Sequence, residues 1–257
     1  SSSPVLLETR TLENGVRLEI WANEGARAPM PIMGAGAAAG GAAGLGFSGV
    51  AIKEEIDTIP AITAIGQAAN PNAPNASQLY ITTFAIPPGP PSTPYSKRVD
   101  TDADGLQKTT WKFVTALGAG GIGGGQIQNG PDDLAGLPIL EQNHVDTNGL
   151  DGNLAYSDWT VVTVDPSQSG VISTITDTAN GKTFTTLRAI NTLPPDAADD
   201  YGCVVEDSIR ELNDIDGEPT GVSVITAKFL KAEGEVSRDT VTKKGIQYTT
   251  VKTLGNP

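Results

Sequence analysis

The chain has 257 residues with 17 basic and 30 acidic side chains, a net charge of −13. That length can bury a sizeable core without help from disulfides or metals, and the charge repels phosphate backbones and anionic membrane surfaces, which argues against nucleic acid as a direct partner. One cysteine, Cys203, cannot close an intrachain disulfide and is expected as a small buried hydrophobe.

In chain order, Ser1-Ser2-Ser3-Pro4 shows no basic or apolar leader, so no signal peptide is visible in this form. Asn14-Gly15-Val16-Arg17-Leu18-Glu19-Ile20-Trp21 predicts an N-terminal hairpin. Ala28 to Ile52 is an uncharged run of membrane-spanning length, but it carries Pro29 and Pro31 and is mostly Gly and Ala. Such residues contribute little transfer energy, so a loop or arm packed on a neighbour is expected and a membrane segment is not. Gly34-Ala35-Gly36 does not follow a strand-like segment and is set aside as a dinucleotide motif. Lys53 to Ile59, stopped by Pro60, predicts a short helix. Residues 1–78 thus read as a hairpin plus a Gly/Ala-rich arm or small subdomain, and 79–257 as the main β domain.

Within 79–257 one pattern recurs. Gly105-Leu106-Gln107-Lys108-Thr109-Thr110-Trp111-Lys112-Phe113-Val114 matches Gly181 to Ile190 and Gly245 to Leu254. The shared form is Gly, three residues, Thr-Thr, an apolar residue, Lys or Arg, any residue, then an aliphatic one. Each copy is preceded by strand-like stretches, the first of which are Leu79 to Ile86, Trp159 to Val164 and Val222 to Leu230. The fold class predicted is mainly β with little helix: three related three-stranded meanders near 79–114, 159–190 and 222–254, packed as a sandwich or repeat-like domain. Asp104-Gly105 and Asn180-Gly181 suit two-residue hairpin turns. Period-two alternation puts Thr109, Trp111 and Phe113 on one face and Thr110, Lys112 and Val114 on the other; the recurring cation there reads as a cross-strand partner for acids or a solvated ladder.

The connections are rich in Gly and Pro. Pro87-Pro88-Gly89-Pro90-Pro91 and Gly118 to Gly130 read as linkers, and Pro131 to Glu141 as holding a helical turn. Val205, Ile209 and Leu212 at helical spacing predict a short amphipathic helix over Asp207 to Leu212.

Chemistry-bearing residues are few. Asp100, Asp102 and Asp104, followed by Gly105, resemble the start of a calcium loop, because Ca²⁺ takes several oxygen ligands around a tight turn. The twelfth position is Trp111 instead of a bidentate Glu, so only a partial calcium site in a hairpin is expected, against an acidic solvated turn. Asp146 with Asp151, and Asp214 with Asp216 and Glu218, are weaker versions. The only imidazole, His144, lacks a nucleophile motif and is expected in a loop or interface. Thirty acids do not single out a glycosidase pair, so no catalytic residue and no cofactor beyond calcium is expected.

Thr-rich β segments such as Asp104 to Val114, connectors such as Pro87 to Pro91 and Gly118 to Gly125, and the scarcity of Cys and His give the chain a character that resembles structural proteins of tailed bacteriophage virions. The resemblance is one of composition and implies a tail, neck, baseplate or decoration component, made in the host cytoplasm, non-enzymatic, binding copies of itself and other structural subunits. The alternative is a secreted or surface-displayed adhesin or carbohydrate-binding module stiffened by Ca²⁺ at Asp100, Asp102 and Asp104.

Overall fold

The structure, a computed structural model, describes residues 4–24, 49–59, 77–89, 91–116, 127, 130–232 and 235–253. Within these the chain is mainly β. The strands are β1 (Val5–Thr11), β2 (Arg17–Glu24), β3 (Val50–Ile59), β4 (Ser77–Ile86), β5 (Ser96–Thr101), β6 (Gln107–Thr115), β7 (Ile139–Asn148), β8 (Leu154–Val164), β9 (Gly170–Ala179), β10 (Lys182–Ile190), β11 (Cys203–Asn213), β12 (Pro219–Ala232), β13 (Glu235–Lys243) and β14 (Ile246–Thr253). A 3₁₀ turn, Asp132–Leu134, falls where the sequence placed a helical turn, and one short helix, α1 (Ala197–Tyr201), precedes β11. Most of the Gly/Ala-rich run and of the Gly118 to Gly130 linker lie outside the described residues.

The antiparallel sheets repeat one plan. Their strand orders are β1-β2-β4-β3, β5-β6-β8-β7 and β9-β10-β12-β11, followed by a two-stranded β13-β14. The expected strands are therefore present and related, but hydrogen bonding groups them differently from three consecutive meanders. The first strand of each expected meander pairs with the strand that ends an earlier hairpin: β4 with β2, β8 with β6, β12 with β10. The repeating unit is two hairpins joined side by side, and the N-terminal hairpin is its first member.

Turn chemistry sets the hairpins. At Leu12–Val16, Asp102–Leu106, Gly149–Asn153 and Asp214–Glu218 the first residue's N–H donates to the fifth residue's carbonyl and the fourth residue's N–H to the first's, at 2.7–3.1 Å. The fourth residue is Gly15, Gly105, Gly152 or Gly217, with φ between 81° and 86°. This is a type I turn closed by a left-handed glycine, which a side chain would strain. Asp104-Gly105 thus belongs to a longer turn than the two-residue one expected. Asn180-Gly181 and Lys244-Gly245, both residues at positive φ, do form the two-residue kind.

Two helix expectations are corrected. Lys53 to Ile59 lies in β3, paired with β4, and Asp207 to Leu212 lies in β11, paired with β12. A six-residue helix leaves most of its backbone groups unpaired, whereas a strand beside β12 pairs along its length. The misleading apolar spacing is not a face at all, since Ile209 is 68% exposed and Leu212 fully buried. His144 is likewise in strand β7 and not in a loop, and Cys203 is half-buried at the start of β11.

The chain divides into two compact units, Ser1–Arg98 with Thr109–Ala135 and Glu141–Val162, and Val99–Lys108 with Gly136–Leu140 and Thr163–Pro257. In the first, a core gathers Val16, Ala85, Val114, Ala155 and Tyr156. In the second, Leu106, Val164, Ile190, Val222 and Val224 form a core with Leu140 and Leu212. The two sets occupy equivalent positions in successive copies of the strand pattern: the residue after a turn glycine, the ends of β4 or β8, the ends of β6 or β10, and the starts of β8 or β12. Repetition thus extends from the sequence to the pairing and to the core. A further cluster in the second unit packs Leu187, Ala227 and Phe229 under Ala197 of α1.

Candidate functional site

A polar recess lies in the first unit, where the first hairpin turn, the residue before β5 and the middle of β8 converge. Two adjoining cavities of about 280 and 320 Å³ share Asn14, Tyr95, Lys112 and Asp158 in their linings. Each side chain is placed by its backbone. Asn14 sits in the β1–β2 turn, where its Oδ1 accepts from Val16 N–H at 3.1 Å, leaving its amide Nδ2 to donate to Asp158 Oδ2 at 3.2 Å. Tyr95 is tied down by its N–H, which donates to the Lys112 carbonyl at 2.9 Å. Its phenol donates to Asp158 Oδ1 at 2.7 Å.

Both oxygens of Asp158 are therefore engaged, one by each neighbour. Burial, then the hydrogen bond to Asp158 and the charges of Asp158 and Glu13, push the Tyr95 phenol well above its ordinary range. It stays a protonated donor at neutral pH and does not serve as a phenolate base. The chemistry of the recess is that of a brace: a carboxylate holding a tyrosine and an asparagine, with exposed Lys112 at its side.

A second cluster in the same unit holds a serine, an aspartate and the histidine. Ser157 Oγ donates to Asp146 Oδ1 at 2.7 Å, and His144 Nε2 lies 3.6 Å from the same oxygen. Asp146 stands in the middle, whereas activating a serine places the imidazole against the hydroxyl. Ser157 is also buried. The imidazole packs instead at a tilt against Trp159, 4.4 Å between ring centroids and 34° between planes, and the Trp159 indole N–H donates to Thr115 Oγ1 at 2.8 Å.

The acidic turns spend their carboxylates on their own backbones. Asp102 Oδ1 accepts from Asp104 N–H at 3.1 Å and Leu106 N–H at 2.9 Å, and its other oxygen faces Lys108 Nζ at 3.8 Å. Asp100 lies in β5 and Asp104 in the turn, and among the described residues no three His, Cys, Asp or Glu side chains come together as a metal-holding group. The structure thus does not assemble Asp100, Asp102 and Asp104 into a common site; it gives Asp102 a turn-fixing role. Asp151 Oδ1 does the same for Asn153 N–H, and Asp165 for Ser167.

Asp214 is the fullest case. Its Oδ1 accepts from Asp216 N–H at 3.0 Å and Glu218 N–H at 2.9 Å, and its Oδ2 from Gly136 N–H at 3.0 Å. Burial pushes its pKa up, but the backbone donors of Glu218, Gly136, Asp216 and Gly217 outweigh it and hold the carboxyl below its ordinary value. A depressed folded pKa stabilises above the unfolded value of about 3.9, and the contribution is lost as pH falls through the folded value. Asp214→Ala is expected to cost about 1–2 kcal/mol at pH 7. Urea unfolding at pH 7 and at pH 2 should show the gap between wild type and variant closing in acid; a gap independent of pH contradicts the role.

Sequence reasoning missed Tyr95, Asp158 and Ser157. Asp158 carried one signal, the single charged side chain in the Leu154–Val164 stretch, which calls for a polar partner if that strand is buried. No protein-family model, curated protein or solved structure matches this chain.

Proposed function

We propose that the protein is a non-enzymatic structural subunit of a large assembly, in the first place a tailed-phage virion, that works by covering sheet edges with copies of itself and with neighbouring subunits. One observation supports this. Among the described residues, the large apolar side chains that are exposed lie on outer strands or on the β13–β14 hairpin, Leu150 in a turn excepted. They include Val5, Leu6 and Leu7 on β1, Val145 on β7, Ile175 on β9, and Val204, Val205 and Ile209 on β11.

Edge strands carry unpaired backbone groups, and solitary proteins blunt them with charge, proline or cover. β1 carries one exposed ion pair, Glu8 with Arg10, but is exposed along its whole length and begins with three consecutive apolar side chains. Such edges suit a chain whose surface is buried by partners. The virion assignment draws on the compositional resemblance.

Sedimentation equilibrium at physiological salt, with Ca²⁺ and again with EDTA, tests the reading. A discrete oligomer or a filament is expected in both. A stable monomer in both overturns it and makes a glycan-binding or adhesive module the better reading, to be checked on a glycan array. Dissociation in EDTA alone restores the metal reading of the Asp100, Asp102 and Asp104 turn.

A further inference from the structure

Each complete sheet is a pair of hairpins joined through their second strands. In the first sheet β2 meets β4 antiparallel, and in the third β10 meets β12 antiparallel. Two hairpins joined in this way are related by an approximate two-fold axis normal to the sheet. The fourth sheet holds, among the described residues, one such hairpin.

Gly245 to Thr253 follows the same pattern as Gly181 to Ala189, with Gly and Thr-Thr in common and an aromatic, an aliphatic and a basic residue in matching places, so β14 corresponds to β10. β10 is paired on both sides, by β9 and by β12, whereas among the described residues the sheet of β14 contains β13 alone. The consequence is visible at one position. Phe184 in β10 is half-buried beneath Lys228 of β12, its ammonium 5.1 Å from the ring centroid. The matching Tyr248 of β14 is 54% exposed, and its cross-strand partner Val241 is 50% exposed.

We propose that the β13–β14 hairpin of a second copy fills the open place, with the two β14 strands antiparallel about a true two-fold axis. The product is a four-stranded sheet of order β13-β14-β14-β13, which reproduces the edge-centre-centre-edge plan of the other three. A second copy is the occupant that the symmetry favours, because the join is between equivalent strands of two hairpins, and identical hairpins meet it with a self-complementary, closed interface. The proposal rests on the assembly reading and specifies one of its contacts.

The register follows. In both determined joins, the first residue of one strand pairs with the last of the other: Arg17 with Ile86, and Lys182 with Ala232. Full overlap of Ile246–Thr253 with its own copy centres between Thr249 and Thr250. Directly opposed residues of an antiparallel pair share a face, and a two-fold normal to the sheet keeps each residue on its face. The axis must then pass through a residue opposed to its own copy, which selects Thr249 or Thr250.

The test uses the full chain with Cys203→Ser, carrying Thr249→Cys or Thr250→Cys, under mild oxidation. Opposed residues of this kind have Cβ atoms about 4.5–5.5 Å apart, within reach of a disulfide after small adjustment. One of the two variants is expected to give a band at twice the monomer mass on non-reducing gels, while Gln247→Cys on the same strand, which would oppose Val251 or Thr253 of the copy and not itself, gives none. Hydrogen exchange on the unmodified protein guards against a misfolded variant: β14 amides should slow as concentration rises. If the wild type sediments as an oligomer but neither variant cross-links and β14 exchange ignores concentration, this contact is wrong and the assembly reading stands. If the wild type is monomeric, both fail.

Discussion

Replacing Phe229 by Ala is expected to lower the unfolding free energy by about 3–5 kcal/mol. Phe229 is 1% exposed and stands on β12, opposite Thr185 of β10 on one side and Val204 of β11 on the other. Its ring packs with Leu187, Ala197 and Ala227, and lies 5.8 Å from the Tyr201 ring of α1. Truncation removes both the transfer energy of a phenyl group and the contacts of the walls left behind, in a place where paired backbone on either side limits collapse. Ile209→Ala, on an outer strand of the same sheet and 68% exposed, is the control, with a change within about 0.5 kcal/mol expected in the isolated subunit. Urea unfolding of both variants decides; similar losses from the two contradict this placing of the core. In the assembled state the order of importance should change, since the proposed function needs Ile209 and leaves Phe229 a folding residue.

The second large effect is expected from Asp158→Ala, at about 2–3 kcal/mol, because it removes a charged acceptor from two part-buried donors at once. Tyr95→Phe should cost less, about 1 kcal/mol, since the carboxylate keeps Asn14 and can take water in place of the phenol. The double variant should cost less than the sum of the single ones, because the two share one hydrogen bond. The alkaline limb gives an independent reading. A phenol whose folded pKa is raised contributes stability that is fully present below the unfolded value of about 10 and is lost as pH rises through the folded value. Wild-type stability should therefore decline above pH 10 more steeply than that of Tyr95→Phe. Parallel declines would mean that the Tyr95–Asp158 bond does not form in solution.

Much of the strand layout was legible because its causes are local. Thr, Val, Ile and aromatic residues fit a pleated surface, and a glycine at positive φ ends a strand wherever the turn demands one. The repeat beginning at Gly105, Gly181 and Gly245 could be read from letters alone, and each copy is a strand that follows a tight turn. The acidic turns were legible as turns but not as to purpose. Alternating aspartates suggest a cation, while an Asx-type bond to the residue two or four places on uses the same letters, and only coordinates show which donors the oxygens meet. Asp102 and Asp214 meet backbone N–H groups.

The Asp158 recess lay beyond sequence reasoning because its partners are distant. Asp158 is 63 residues from Tyr95 and 144 from Asn14. No periodicity links positions brought together by three separate elements. The Ser157, Asp146 and His144 cluster illustrates the same limit: the residues were present, but their order in space, with the carboxylate in the middle, determines what chemistry they can do.

The sequence by itself determined that this is an acidic, mainly β protein in which a strand following a glycine-containing turn recurs, since composition sets the charge and each turn and strand is written in its own local sequence. The tertiary structure alone decided which strand lies beside which. β4, β8 and β12 each had a nearer candidate partner in the following strand and joined an earlier hairpin instead. A strand carries the same backbone donors and acceptors on both edges, so pairing is chosen by which neighbour also buries the side chains on its faces. For β12 that neighbour is β10, which brings Leu187 beside Ala227 and aligns the chains from Lys182 to Ile190 without a bulge.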